Sequence, residues 1–181
     1  MAWRDVTYWL EPFSDPRLLA VVNAISRTHA NGGALLRCLR ATTTEFDHAV
    51  NHDAQAIDHV VRTFLESESL RSLVPELGIS LPIDPLPSVV EYSSWEFEGA
   101  VTGLLLASGA YVESSLSCQA ARQIASSFAD ATLEDHRPRA RVYRLTGPWC
   151  DWLCDVAWDA SFAVLDPVGR RWWLLCVTDT D

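Results

Sequence analysis

Residues 156–177 read VAWDASFAVL-DPVG-RRWWLLCV, and this stretch decides the fold. Every even position of 156–165 is apolar, so the segment predicts a strand with one apolar face. Residues 166–169 have Asp first, Pro second and Gly fourth, as a type I turn prefers. Residues 172–177 are apolar on both faces, which is typical of a central strand covered on each side. The sequence therefore predicts a C-terminal β-hairpin in which 156–165 pairs with 170–177.

The length of the turn predicts a register for this hairpin. A four-residue turn pairs Leu165 with Arg170 and places Phe162 opposite Trp173. The even positions of the first strand then face the interior. We expect Phe162 to be one of the large side chains of that interior.

Helices are predicted for the first half of the chain. Asp15-Pro16 supplies an N-cap and a proline at the first helical position, and begins a helix that ends near Ala30. A second helix is predicted from Thr44 to Leu65, where apolar residues recur at helical spacing. Residues 78–88 hold three prolines, and we expect them to form an irregular connector.

Segments with strand character predominate after the connector. Residues 89–97 and 139–145 are interpreted as strands, and Ser114 and Ser115 are expected to cap a further helix. Residues 99–111 fit either a buried helix or a pair of strands, which leaves the topology of the sheet open. A helical half followed by a mainly strand half favours one α+β domain over residues 1–181, with helices packed on a mainly antiparallel sheet.

The chain is acidic and contains no lysine. Its 181 residues carry a formal net charge of −10, and all fourteen basic residues are arginines. This charge disfavours nucleic acid and anionic membranes as partners and favours basic proteins. The absence of lysine excludes Schiff-base and P-loop chemistry, and with them any cofactor that needs an active-site lysine. No cofactor is predicted, although a divalent metal is considered below.

The sequence predicts neither export nor a membrane span. The N-terminus lacks a charged segment followed by an apolar one, and the longest apolar run, 100–110, is too short to cross a bilayer. Five cysteines, an odd number without an export signal, favour reduced thiols. A soluble cytoplasmic protein is therefore expected.

Three histidines and a glutamate form a candidate metal site. On one helix over 44–65, His48, His52 and His59 fall opposite the apolar stripe, with Glu45 beside them. Two histidines four residues apart can chelate a divalent metal, and a neighbouring carboxylate can act as ligand or base. The zincin spacing is absent, because no glutamate follows His48. The alternative interpretations are a solvated face and a partner-binding face.

Arg137, Arg139 and Arg141 form the one concentrated positive surface that the sequence predicts. Their alternation on a strand would place all three on one face, where Arg139 and Arg141 could hold a phosphate or carboxylate. The alternative is an edge strand guarded by charge, or arginines that pair with acidic segments or stack on aromatic rings.

Residues 149–159 combine tryptophans, cysteines and aspartates. Cys150 and Cys154 have neither the spacing of a zinc knuckle nor that of a redox pair, and are expected to be small buried side chains. A tryptophan exposed beside the aspartates would form an aromatic and acidic patch of the kind that binds proteins. The candidate binding residues of this segment are Trp149, Asp151, Trp152, Asp155 and Asp159.

These features are compatible with three functions. We favour a non-enzymatic acidic module that binds a basic protein, as an inhibitor of the immunity type or as a regulator, because no catalytic motif is assembled. The alternative is a small metal- or anion-dependent enzyme or ligand-binding protein that uses the histidine face or Arg139 and Arg141. The third is a structural role through dimerisation along an exposed edge of the sheet.

Overall fold

A six-stranded antiparallel sheet runs through the molecule, with helices on both of its faces. The computed structural model describes residues 3–52 and 57–180. Its strands are β1 (Tyr8–Leu10), β2 (Gly33–Ala41), β3 (Ser88–Tyr92), β4 (Arg141–Thr146), β5 (Ala160–Asp166) and β6 (Arg171–Thr178). Their order across the sheet is β1-β2-β6-β5-β4-β3. The described helices are α1 (Pro16–Thr28), α2 (Glu45–His52), α3 (Ile57–Leu65), α4 (Glu68–Leu73), α5 (Ser94–Leu106) and α6 (Cys118–Leu133), with 3-10 turns at Trp3–Asp5, Pro75–Leu77 and Glu134–His136.

The two faces of the sheet bury separate apolar cores. In the first core, Trp172 and Leu174 of β6 pack with α2, α3 and α4. In the second core, on the opposite face, Trp173 and Leu175 pack with α1, α5 and α6. Trp172 stacks on Phe64 with the ring centroids 4.2 Å apart. All residues of β6 are buried, which confirms the prediction of a central strand covered on each side. The fold is a single α+β domain, as predicted.

The predicted C-terminal hairpin is present, formed by β5 and β6, but its first strand begins at Ala160 and not at 156. Its register differs from the expected one by two residues, because Phe162 pairs with Leu175 instead of Trp173. The first strand extends to Asp166, whose carboxylate accepts hydrogen bonds from the amides of Val168 and Gly169 at 3.1 and 2.8 Å. The four-residue turn therefore begins one residue later than predicted. A shift of two residues keeps each side chain on its expected face.

The first helix begins as predicted. The carboxylate of Asp15 accepts a hydrogen bond from the Arg17 amide at 2.8 Å, and Pro16 is the first residue of α1. This arrangement satisfies an amide that the helix itself leaves unpaired. The segment after α1 forms β2.

The strand predicted over 89–97 is present only in its first half. β3 ends at Tyr92, and Ser93 begins α5 with a capping box. The Ser93 hydroxyl accepts from the Glu96 amide, and the Glu96 carboxylate accepts from the Ser93 amide at 2.7 Å. The glycine-rich part that fitted helix or strand is helical as far as Leu106.

The helices that cover the first core are short. The helix predicted over 44–65 is described as two helices, α2 and α3, and residues 53–56 lie outside the described part. Phe46, Val61 and Phe64 of the predicted apolar stripe are buried. No helix in the described ranges, including the sixteen-residue α6, is long and apolar enough to cross a membrane.

Two irregular segments meet and position the candidate site. One follows the 3-10 turn that ends at Leu77 and leads to β3, and the other connects β4 to β5. They touch where the Trp152 amide donates to the Leu77 carbonyl at 3.2 Å, and where Asp151 lies against Gly78. Gly78 has a φ of +60°, and a Cβ there would lie 2.8 Å from the Asp151 Cβ. A glycine is therefore required at this contact.

Candidate functional site

The loop 147–159, between β4 and β5, is held at both ends by hydrogen bonds, one buried and one partly buried. The indole of Trp149 is 2% exposed and donates to the Ser161 hydroxyl at 3.0 Å. The carboxylate of Asp159 accepts from the Thr178 hydroxyl at 2.6 Å. Two of the five candidate binding residues, Trp149 and Asp159, therefore hold the loop in place.

The other three candidate binding residues lie nearer the solvent. Asp151 and Asp155 are exposed, and Trp152 is partly exposed while it packs against the first core. Asp155 has a φ of +58°, in the left-handed region. In the described part of the chain, neither Asp151 nor Asp155 forms an ion pair. The loop thus presents two uncompensated carboxylates beside an indole ring.

A pocket of about 350 Å³ lies between this loop and the proline-rich connector. Its two carboxylates are Asp84 from the connector and Asp151 from the loop. We did not single out Asp84 from the sequence, because an aspartate between prolines is typical of an ordinary turn. The remaining lining residues are Ser80, Pro82, Ile83, Pro148, Trp149, Cys150 and Leu153.

In the described part of the chain, no arginine forms an ion pair with the carboxylates of this pocket. Within residues 3–52 and 57–180, nine of the fourteen arginines form ion pairs with carboxylates. Asp84 and Asp151 belong to none of these pairs. Two like charges in one pocket repel each other, and a cation placed with them relieves that repulsion. The pocket is therefore chemically suited to a guanidinium or ammonium group.

The buried thiols near the pocket are not nucleophiles at neutral pH. Burial raises the pKa of Cys150 to about 11 and raises the pKa of Cys176 well above its usual value. Both thiols therefore keep their protons, whereas the thiolate is the reactive form. Cys154 is exposed, so the prediction that both loop cysteines are buried is wrong for this residue. The loop is not helical here and separates the two thiols.

The histidine face is described only in part. His48 and His59 are exposed, and the side chain of His52 lies outside the described part. Hydrogen bonds from its own amide and from Thr43 lower the pKa of the Glu45 carboxyl. Among the described side chains, no group of three or more His, Cys, Asp or Glu residues is arranged to hold a metal ion. The metal site at Glu45, His48, His52 and His59 stays a prediction.

The three alternating arginines do not share a strand face. β4 begins at Arg141, and 137–139 lie in a turn. Arg141 donates to the Glu91 carboxylate at 3.0 Å and stacks over the Tyr143 ring at 5.4 Å. The anion site expected at Arg139 and Arg141 stays a prediction. The strand starts two residues later than predicted, and Arg141 is already paired.

A buried polar cluster at the hairpin turn was not predicted. The Asp166 carboxylate is fully buried, and it accepts from Arg171 Nε at 3.1 Å and lies 3.1 Å from His136 Nδ1. Arg171 also pairs with Glu134 at 2.8 Å. Arg171 thus lies between two carboxylates, and these contacts hold the turn to the end of α6. The only sequence signal was an aspartate and an arginine on either side of a four-residue turn.

The pocket between the connector and the loop brings together two carboxylates that form no ion pair in the described part of the chain. Of the predicted binding residues, Trp149 and Asp151 line it, and Asp151 contributes a negative charge. Asp84 contributes the second charge from the opposite segment. Comparisons of the chain with protein-family models, curated proteins and solved structures find no match.

Proposed function

We propose that this protein is a non-enzymatic module that binds a basic protein through the acidic pocket. The observation that carries the proposal is that Asp84 and Asp151 line one pocket and neither pairs with an arginine in the described part of the chain. An arginine or lysine side chain of the partner would enter the pocket. It would form charge-assisted hydrogen bonds with both carboxylates.

Apolar side chains beside the pocket support a protein partner over a lone cation. Leu81 is exposed next to the lining residue Pro82, and Trp152 is partly exposed next to Asp151. Protein interfaces combine apolar and aromatic contacts at the centre with polar groups around them. The pocket and these two side chains together provide both kinds of contact.

The net charge of the chain favours the same class of partner. A charge of −10 attracts a basic protein over several ångströms before contact, and this steering weakens as salt is added. An inhibitor of the immunity type, or a regulator of a basic protein, would use this combination of steering and pocket. We expect the rate of association to fall steeply as the salt concentration rises.

The pocket is tested with octa-arginine peptide as the probe. The double variant Asp84→Asn/Asp151→Asn removes both charges and preserves the size of the side chains. We expect the affinity for the peptide, measured by calorimetric titration, to fall about tenfold, which corresponds to about 1.4 kcal/mol. In parallel, a basic polypeptide that copurifies with the untagged protein from its own cells should be lost from this variant.

The matched control is the double variant Glu113→Gln/Asp135→Asn. These two carboxylates are exposed, line no part of the pocket and form no ion pair in the described ranges. The control changes the net charge by the same amount and should retain most of the affinity. An equal loss in both double variants would show that only net charge matters, and would contradict binding in the pocket.

A further inference from the structure

The two edge strands of the sheet are protected to different degrees. β1 has only three residues and is soon followed by Pro12, and on β2 the Leu36 carbonyl is bonded by the Arg37 guanidinium at 2.9 Å. β3, at the opposite edge, pairs with β4 on one side and has no strand of residues 3–52 or 57–180 on the other. Its one charged side chain, Glu91, pairs with Arg141. Pro87 directly precedes β3, but the strand itself contains no proline and no unpaired charge of the kind that protects an edge.

β3 and its flanks expose apolar side chains. Val90, at the centre of the strand, is 51% exposed. Leu86 is exposed just before the strand, and Trp95 is 72% exposed just after it. Large exposed apolar side chains grouped along an unpaired strand mark an interaction surface. Such an edge accepts another strand through its free backbone groups.

The charges around this edge favour a second copy over a basic partner. Arg141 and Arg144 lie on the adjacent strand β4, and Arg137 stacks over the Trp95 ring at 5.4 Å. Although the chain carries a net charge of −10, arginines compensate its acidity at this edge. Arg141 is paired with Glu91, and Arg137 is paired with Asp130, so this edge carries little net charge. It therefore does not attract a basic partner strongly, and two acidic copies can approach each other along this surface.

The side chains of β3 select one register for pairing with a second copy. In an antiparallel pairing centred on Val90, each Val90 faces its own counterpart, Ser88 faces Tyr92, and Val89 faces Glu91. A pairing centred on Glu91 would set two carboxylates directly opposite each other, which is destabilising. The register centred on Val90 avoids this repulsion and pairs all residues of the strand.

We propose that two copies of this chain pair through β3, antiparallel about Val90, into one continuous sheet. The end of β3 near Leu86 then lies beside the end near Trp95 of the second copy, so that exposed apolar surface is removed from water. The pairing is isologous and uses the same edge of both copies, so assembly stops at a dimer. It does not involve the acidic pocket.

Molecular mass in solution, measured by sedimentation equilibrium, tests this pairing. The wild-type protein should have twice the chain mass of 20.2 kDa, which is 40.4 kDa. Val90→Lys and Val90→Glu each place two like charges opposite each other at the centre of the paired strands. Each variant should therefore have the mass of a monomer, 20.2 kDa. A mixture of the two variants sets opposite charges there and should return to 40.4 kDa.

Val168→Lys is the matched control, because Val168 is an exposed valine in the turn between β5 and β6. This variant should remain at 40.4 kDa, twice 20.2 kDa. Val90 is half exposed, so its charged variants should keep the wild-type circular dichroism spectrum. A wild-type monomer, a dimer that survives Val90→Lys, or a mixture that stays monomeric would each overturn the pairing.

Discussion

Phe162 is one of the large side chains that fill the core under α5 and α6. It is 1% exposed, and its ring centroid lies 5.5 Å from that of Phe97. Phe162→Ala removes this contact and leaves a cavity under the helices. We expect the free energy of unfolding, measured by urea titration, to fall by about 3–5 kcal/mol. The exposed Val168→Ala should change it by less than about 0.5 kcal/mol, whereas a loss below about 1 kcal/mol for Phe162→Ala would contradict its place in the core.

Individual residues differed in how far the sequence could predict them. The burial of Phe162 follows from the alternation of side chains along β5, and an error of two residues in register does not change the face. Asp84 had no comparable signal. Its importance arises only where the connector meets the loop that carries Asp151, 67 positions further along the chain (151 − 84). A local pattern does not report such a contact.

The turn between β5 and β6 depends on one buried ion pair. The Asp166 carboxylate accepts from Arg171 at 3.1 Å, and both side chains are almost fully buried. Asp166→Asn keeps the size of the side chain but leaves the Arg171 charge partly unpaired. We expect the free energy of unfolding in urea to fall by about 3 kcal/mol.

The control for this turn is Asp47→Asn, which removes an ion pair with Arg170 at an exposed position. Because water screens this pair, the loss should stay below about 1 kcal/mol. Equal losses for Asp166→Asn and Asp47→Asn would show that burial adds nothing to the Asp166–Arg171 pair.

Elements with a capping or turn signal could be predicted, and elements without a decisive period could not. Asp15-Pro16 correctly marked the start of α1. The alternation of Trp95 and Phe97 with glutamates resembled a strand, yet the segment is helical. The helix signal was also present, because Ser93 and Glu96 have the spacing of a capping box. Over so few residues, apolar periodicity alone does not separate helix from strand.

At the scale of the molecule, composition predicted the acidity but not its distribution. The pairing of β2 with β6 joins residues 33–40 to 171–178, and no local pattern determines such a contact. No local pattern predicts the partners of the arginines either, most of which pair with carboxylates in the folded protein. The acidic pocket and the compensated edge at β3 are therefore properties of the fold, although the net charge of −10 could be read from the sequence.

Buried side chains that keep their protons should also lower the stability of the whole molecule at alkaline pH. Burial raises the pKa of the Cys176 thiol well above 9.0, its value when exposed, and burial also raises the pKa values of Tyr8 and Tyr143. Well below pH 9 the thiol is protonated in both the folded and the unfolded chain. At higher pH the unfolded chain releases this proton while the folded chain keeps it, so the free energy of unfolding falls as the pH rises.

Cys176→Ala isolates the contribution of one such thiol. The variant loses some stability at every pH because it leaves a small cavity, so the informative quantity is the slope of the free energy of unfolding against pH. Above about pH 9.5 the slope should be shallower than that of the wild type by about 1.4 kcal/mol per pH unit, the linkage of one proton. Cys118→Ala removes an exposed thiol and should keep the wild-type slope. If Cys176→Ala also kept it, the thiol of Cys176 would not retain its proton in the folded protein.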